Sequence, residues 1–596
     1  MLTRCVALWS LAALFFTGLP LRAETLLQTE PYTLTGNQII NNSLGDLVDL
    51  QAGMTGYGSL LKTGDGVLKL GGTSSFSGDV VVNGGVVVVS GSSQLGDASN
   101  MVTVNGVNAP GFDGGMLLLD AGTGTLSIAQ PLSLNGRGPT ANNGTAALLT
   151  LGSVTLEGPV QLGNSATTSF LNSGYGNLVI EGPVNLGGSP SVSGNGNVVI
   201  SGQVVGSGTL AKTAGSLPTS LWLQNANNSF AGPLAISGGY VRVSNGGALG
   251  KSQTKVSLSG GGVFEVRADS TAATTFGGNA LALPANGSIF LDHALGIPRI
   301  GQKIQFGSLT TGISTLTVLG RNGYGLAMSG ASGTNVMLTN SSNAPIVLGG
   351  TVVIGDIAGN RYFSASGPGD FVITGNLVSS TATAVDYLMK GGQGRTLMTG
   401  TASSYLGNTS VTGGVLEVPT FEAIRNAPGG AISLNAGAVN FTGTEGETLL
   451  KTLNLSGTTG NALLLANQTG STPLLINNNI AASGAGAKTF VLGGDSAAPN
   501  LISGRITQNT GPTALFKTDK GIWTYAPDST ATVAGPVGIT GSSGFSNAGT
   551  LVVSSTAGIA VGMTVSGSGV TTGQAVTAIV GNTLWLSSNL TGALSN

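Results

Sequence analysis

Apolar side chains recur along this chain in short runs, with Ser, Thr and Asn between them and glycines at their ends. Val80-Val81-Val82, Val86-Val87-Val88-Val89 and Leu584-Trp585-Leu586 are each of strand length. After the first 23 residues no run approaches the ~20 apolar residues of a membrane-spanning helix. Such runs predict strands, because β-branched and aromatic residues suit a pleated surface while glycine suits the turns between. The clearest alternation follows three Gly-Gly pairs. Counted from the first glycine (Gly84, Gly238, Gly413), positions +3 and +5 are Val87 and Val89, Val241 and Val243, and Leu416 and Val418. Position +4 is Val88, Arg242 or Glu417. Strand side chains alternate, so +3 and +5 face a core and +4 faces solvent.

These strands belong to a repeat. Residues 60–96 read as Lys62-Thr63-Gly64, a strand, Phe76 with Gly78 two residues on, the pair Gly84-Gly85, a Val strand and Leu95-Gly96. Residues 210–250 repeat the order with Lys212, Phe230, Gly232, Gly238, Gly239 and Leu249-Gly250. A third copy, 388–418, has Lys390, Tyr405, Gly407, Gly413 and Gly414. From the aromatic to the first glycine of the pair the spacing is 8 residues in all three. A degraded fourth copy over 515–541 keeps Lys517-Thr518 and Gly535, with Val533 in the aromatic place and Gly541 again 8 residues on. Simpler units lie between: Ile180-Glu181-Gly182-Pro183-Val184 follows Leu156-Glu157-Gly158-Pro159-Val160 by 24 residues, and Ile200-Ser201-Gly202-Gln203-Val204 follows by 20 more. A period of 20–24 residues with short strands in each unit predicts a β-solenoid.

The string of Lys-Thr-Gly, aromatic-x-Gly and Asn-Gly-Gly in residues 60–96 resembles the autotransporter-associated β-strand repeat (passenger-associated transport repeat) of bacterial autotransporter passengers and large surface proteins. The resemblance implies a right-handed parallel β-helix on an exported bacterial protein, and no particular activity.

Composition sharpens this reading. Glycine supplies 100 of 596 residues, charged residues only 8%, and mean hydropathy is +0.32. Disorder needs low hydrophobicity and high net charge, and collagen needs strict Gly-X-Y with abundant proline; neither holds. Lys and Arg number 22 against 24 Asp and Glu, which leaves no basic excess for nucleic acid. Residues 1–23 form a basic start at Arg4, an apolar core over 5–19 and Pro20-Leu21-Arg22-Ala23, the layout of a signal peptide cut between Ala23 and Glu24. Cleavage removes Cys5, the sole cysteine, so the mature chain forms no disulfide or thiolate site. Stacked at ~4.8 Å per coil, at most about 26 coils of ~22 residues give a rod on the order of 120 Å. The expected organisation is an N-terminal cap region over 24–58, a parallel β-helix over 59–544 and a small C-terminal β module over 545–596. That module resembles one found in repetitive bacterial surface proteins. No C-terminal barrel of alternating strands follows, so export uses another route or the chain is part of a longer protein.

Three motifs invite a chemical reading. Asn245 to Ser252 approaches a phosphate-cradling loop, but Asn245 stands where the first glycine belongs, and Leu249-Gly250 is the repeat's own Leu-Gly. His293 is the single histidine, so no cluster of imidazoles exists; beside Asp292 on a strand it would face the opposite way. Glu445 and Glu447 on one strand face would stand ~6.6 Å apart, compatible with glycosidase or cation chemistry. Their setting, Gly443-Thr444-Glu445-Gly446-Glu447-Thr448, reads as a solvated turn. The expectation is therefore a non-enzymatic exported surface protein at the exterior of a Gram-negative-type bacterium. It would be a rigid, adhesin-like stalk touching a host or environmental surface or glycan, with no catalytic residue, cofactor or metal. A β-helix polysaccharide lyase or hydrolase, and a surface-layer or assembly component, are the alternatives.

Overall fold

The computed structural model describes residues 24–527 apart from 107–113, 140–145, 164–169, 216, 252, 269–273, 295–300, 356–360 and 458–460. Between 549 and 588 it describes all but 553–555, 557–558, 566–569 and 572. The signal segment, Val533, Gly535 and Gly541 lie outside the described residues.

From Thr25 to Tyr525 every strand pairing is parallel, and most strands join one sheet of 39 strands. This is a parallel β-solenoid of about 20 turns. The alternation seen in the sequence becomes alternation of burial. In Val80–Val82 the outer two valines are buried and Val81 is half-buried, and each neighbouring coil supplies the same pattern. Register stacks like on like: Leu60, Val80, Val102, Leu132, Val160, Val184 and Val204 form one interior column. Burial of each such aliphatic side chain stabilises the coil by ~1.5–3 kcal/mol. Successive coils share this column, so the core is one continuous apolar filament.

Coils differ in length without losing register. The step from Val184 to Val204 takes 20 residues, whereas that from Val102 to Leu132 takes 30. In the longer step the strand itself lengthens: Gly115–Ile128 spans 14 residues, with a register shift between Asp120 and Thr125. Residues 24–58 stack as coils themselves, with Thr25–Gln28 on Leu47–Leu50 and Gln38–Asn41 on Leu60–Thr63. Among the described residues two single turns of 3-10 helix interrupt the strands, Gly246–Leu249 and Phe421–Ile424; the first lies within the segment that resembled a phosphate loop. Strands Thr550–Val552, Thr564–Val565, Gln574–Val580 and Thr583–Leu586 pair antiparallel around Leu551, Val576, Leu584 and Leu586. Val561 lies in a turn. Among the described residues no helix is long and apolar enough to cross a membrane.

Candidate functional site

The repeat lysines occupy interior slots. Lys62 stands in a column between Ile40 and Val82, with Val104 beyond, Lys212 precedes Ile236, and Lys390 precedes Val411. All three are essentially inaccessible to solvent. The butyl stem fills an aliphatic place while the ammonium turns toward the corner, where backbone carbonyls converge. Lys62 Nζ donates to the carbonyls of Thr63 (2.7 Å), Gly64 (2.7 Å) and Gly84 of the next coil (3.2 Å). Lys390 Nζ donates to Gly391 (2.7 Å), Gly392 (3.3 Å) and Gly413 of the next coil (3.1 Å). Lys212 Nζ donates to Thr213 O at 2.6 Å. Burial pushes Lys62 and Lys390 down to about 8, against the opposing pull of Asp65 and Asp370; burial also lowers Lys212.

The glycines of the motif make room for this latch. Gly85, Gly239 and Gly414, second in each pair, have φ of +65°, +63° and +58°. A Cβ on Gly85 would lie 2.2 Å from Gly66 O and 2.8 Å from Lys62 Nζ. Gly84 and Gly413, first in their pairs, carry the carbonyl that closes the latch from the next coil. Gly78, Gly232 and Gly407 lie on the backbone of the preceding coil, where a Cβ would come within 2.3, 2.0 and 2.5 Å of a carbonyl oxygen. Phe76, Phe230 and Tyr405 are fully buried. Tyr405 brings a hydroxyl inside, which bonds Thr409 Oγ1 (2.6 Å) and Ile424 O (3.0 Å). Lys451 lies 4.6 Å from its ring and donates to Thr409 Oγ1 at 3.2 Å. Burial, with Arg425 nearby, drives Lys451 down to about 7, and burial raises the Tyr405 phenol. Lys451 had no signal in the repeat; only the register brings it to Thr409, 42 residues earlier.

A second constellation lies outside, on the face that carries the +4 position. Trp222, Arg242, Glu265 and Phe290 stand in register on four successive coils, and Arg267 faces Asp292 in the next row. Glu265 bridges two guanidinium groups, Arg242 Nε at 2.7 Å and Arg267 Nε at 2.6 Å, and is 4% exposed. Arg267 Nη1 reaches Asp292 Oδ2 at 3.4 Å, and Asn322 Nδ2 donates to Asp292 Oδ1 at 2.7 Å. The guanidinium carbons stand 5.5 Å from the Trp222 ring centre and 5.1 Å from that of Phe290. On the same side, Tyr240 precedes Arg242 by two residues on its strand, Leu217 lies three residues before the strand of Trp222, and Tyr175 lies two before Asn177, three coils back; they are 37%, 57% and 51% exposed. Sequence reasoning found Arg242 as an outward position but not the cluster.

The other candidates disperse. His293 ends its strand, with Nδ1 2.6 Å from Ala294 O and Nε2 3.9 Å from Asp292 Oδ1. Glu447 Oε2 accepts from Phe421 N–H of the preceding coil (2.9 Å), and Glu445 Oε2 accepts from Thr472 N–H of the following coil (3.0 Å). Bonds from Thr472 hold Glu445 below the usual carboxylate range. Each carboxylate is thus fastened to a different coil. Among the described residues no three of His, Cys, Asp and Glu gather to hold a metal.

A parallel solenoid whose corners are built on this lysine and glycine signature belongs among extended repeat proteins, and comparison with known proteins shows what it is similar to. The model of the passenger-associated-transport-repeat family matches residues 60–89 and 388–418, the first and third copies. The chain is also 27% identical over 543 residues to the adhesin BmaC autotransporter of Brucella suis biovar 1 (strain 1330). That alignment covers 80% of this chain and 13% of the adhesin, so the chain spans a small part of its relative's length. No solved structure matches.

Proposed function

We propose that this chain is an adhesin-like passenger: an exported, non-enzymatic β-solenoid that holds a contact surface away from the cell exterior. The similarity over 543 residues to an autotransporter adhesin carries the reading. The fold supplies the mechanism. One continuous core with coil-to-coil latches makes a stiff support, and coils that accept extra residues carry contacts at no cost to the column. A non-enzymatic role is supported by Glu445 and Glu447, whose oxygens serve as acceptors for neighbouring coils instead of converging on a cleft. The signal segment over 1–23, an outer-surface destination and the boundaries at 58 and 544 are part of the same proposal.

The test uses the full chain with and without residues 1–23 in a Gram-negative host, followed by labelled mature chain on cell layers and abiotic surfaces. The expected outcome is export that depends on residues 1–23 and saturable retention of the chain on at least one surface. Absence of retention on every surface would refute the adhesin-like reading. Release of reducing ends or unsaturated sugars from a polysaccharide panel would replace it with an enzyme.

A further inference from the structure

We infer that the face built from Tyr175, Leu217, Trp222, Tyr240 and Arg242 is the contact surface, and that it takes a neutral oligosaccharide laid along the solenoid axis. The inference rests on the adhesin-like reading above and names its ligand class.

Charge argues first. In a chain with 8% charged residues, two guanidinium and two carboxylate groups meet here and pair with each other. The face therefore offers a polyanion no excess positive charge and a cation no excess negative charge. Polar groups nevertheless remain to be satisfied. Trp222 Nε1 is buried and meets no acceptor among the described residues, an uncommon state for an indole N–H. Arg242 spends Nε on Glu265, and among the described residues its Nη groups have no acceptor. Asn177, Asn197 and Ser220, stacked on the coils beside Tyr240, add a row of neutral amide and hydroxyl groups. Exposed tyrosine rings next to such groups match a pyranose, which has an apolar C–H face and a rim of hydroxyls.

The fold disfavours the other polymers. Strand addition by a peptide needs a free sheet edge, and this face lies mid-sheet with its backbone paired to coils on both sides. From Asn177 to Ser288 the face rises five coils, about 24 Å at ~4.8 Å per coil. Sugar rings laid parallel to the axis would meet one coil after another.

The test presents the full mature chain with neutral tetra- to hexasaccharides of glucose, galactose, mannose and N-acetylglucosamine, and with heparin as a polyanion. The expected result is binding to at least one neutral series, changed by less than about twofold between ~50 and ~300 mM salt. That affinity should fall at least about tenfold in Tyr240→Ala and in Arg242→Ala. Should Arg242→Ala unfold the coil by releasing Glu265, the Tyr175→Ala/Tyr240→Ala double variant carries the test, since both rings lie outside the core. Absence of neutral-sugar binding, binding confined to heparin with a steep loss in salt, capture of a protein alone, or affinity unmoved by the variants would each overturn the proposal. If the variants adhere to cell layers as well as the parent does, the face is wrong and the adhesin-like reading stands. If the parent itself adheres to nothing, that reading fails instead.

Discussion

Replacing Lys390 by methionine isolates the latch. Methionine keeps an unbranched apolar stem for the interior slot, so the column above Ala365 and below Val411 stays filled. What disappears is the ammonium and its donation to Gly391, Gly392 and Gly413. A hydrogen bond from a charged group contributes ~1.5–3 kcal/mol, and a stranded buried acceptor costs about 1–3 kcal/mol. Against this, the lysine no longer has to be desolvated, a cost of several kcal/mol that its own lowered pKa reflects. The balance is a loss of about 2–4 kcal/mol. It should be felt locally, because coils contact only their neighbours. Hydrogen exchange of backbone amides in 409–418 should accelerate roughly thirtyfold to several hundredfold, while 60–89 exchanges as in the parent. Unchanged exchange at 409–418 would mean that the carbonyls are satisfied without the ammonium. Equal acceleration in both repeats would mean that the solenoid opens as one unit; either result refutes the local-latch argument.

Gly85→Val adds a side chain at φ +65° within 2.2 Å of Gly66 O, so limited proteolysis should open residues 60–110 while the rest of the solenoid remains protected. Protection equal to the parent's would contradict the strain at that corner. Stability should rise with pH: Lys62 and Lys390 at about 8, and Lys451 at about 7, lie below the unfolded value of 10.5. The unfolded chain therefore binds more protons between those values, and their burial penalty, full below pH ~7, lifts as pH climbs toward ~10. Thermal melts near pH 6.5 and pH 9.5 should differ in that direction, with part of the gain lost in Lys451→Met; a falling melting temperature would reverse the sign. Glu265→Gln removes the charge that separates Arg242 and Arg267 and should cost about 2–4 kcal/mol, read as a lower denaturation midpoint. An unchanged midpoint would place the ladder among solvated surface pairs worth little.

What the sequence discloses and what it conceals divide along a physical line. The solenoid follows from the fixed 8-residue spacing and from the alternation at Val87 and Val89, because inward positions are constrained by the column on every coil. The lysine's burial was not legible: charged side chains are almost never interior unless partnered, and only the carbonyls of Thr63, Gly64 and Gly84, brought together by the fold, explain a charge inside. The charged face escaped for a different reason. Trp222, Arg242, Glu265 and Phe290 are separated by 20, 23 and 25 residues, so no constant period aligns them until corner lengths are known.

The 30-residue step between Val102 and Leu132 holds its column as faithfully as the 20-residue step between Val184 and Val204. Foreign sequence spliced at the exposed bulge over Gly122–Gly124 of that step would therefore be displayed at a chosen height, leaving the turns on either side blind to its identity. Variation in what is exhibited and conservation of what supports it can then proceed independently, one bend at a time.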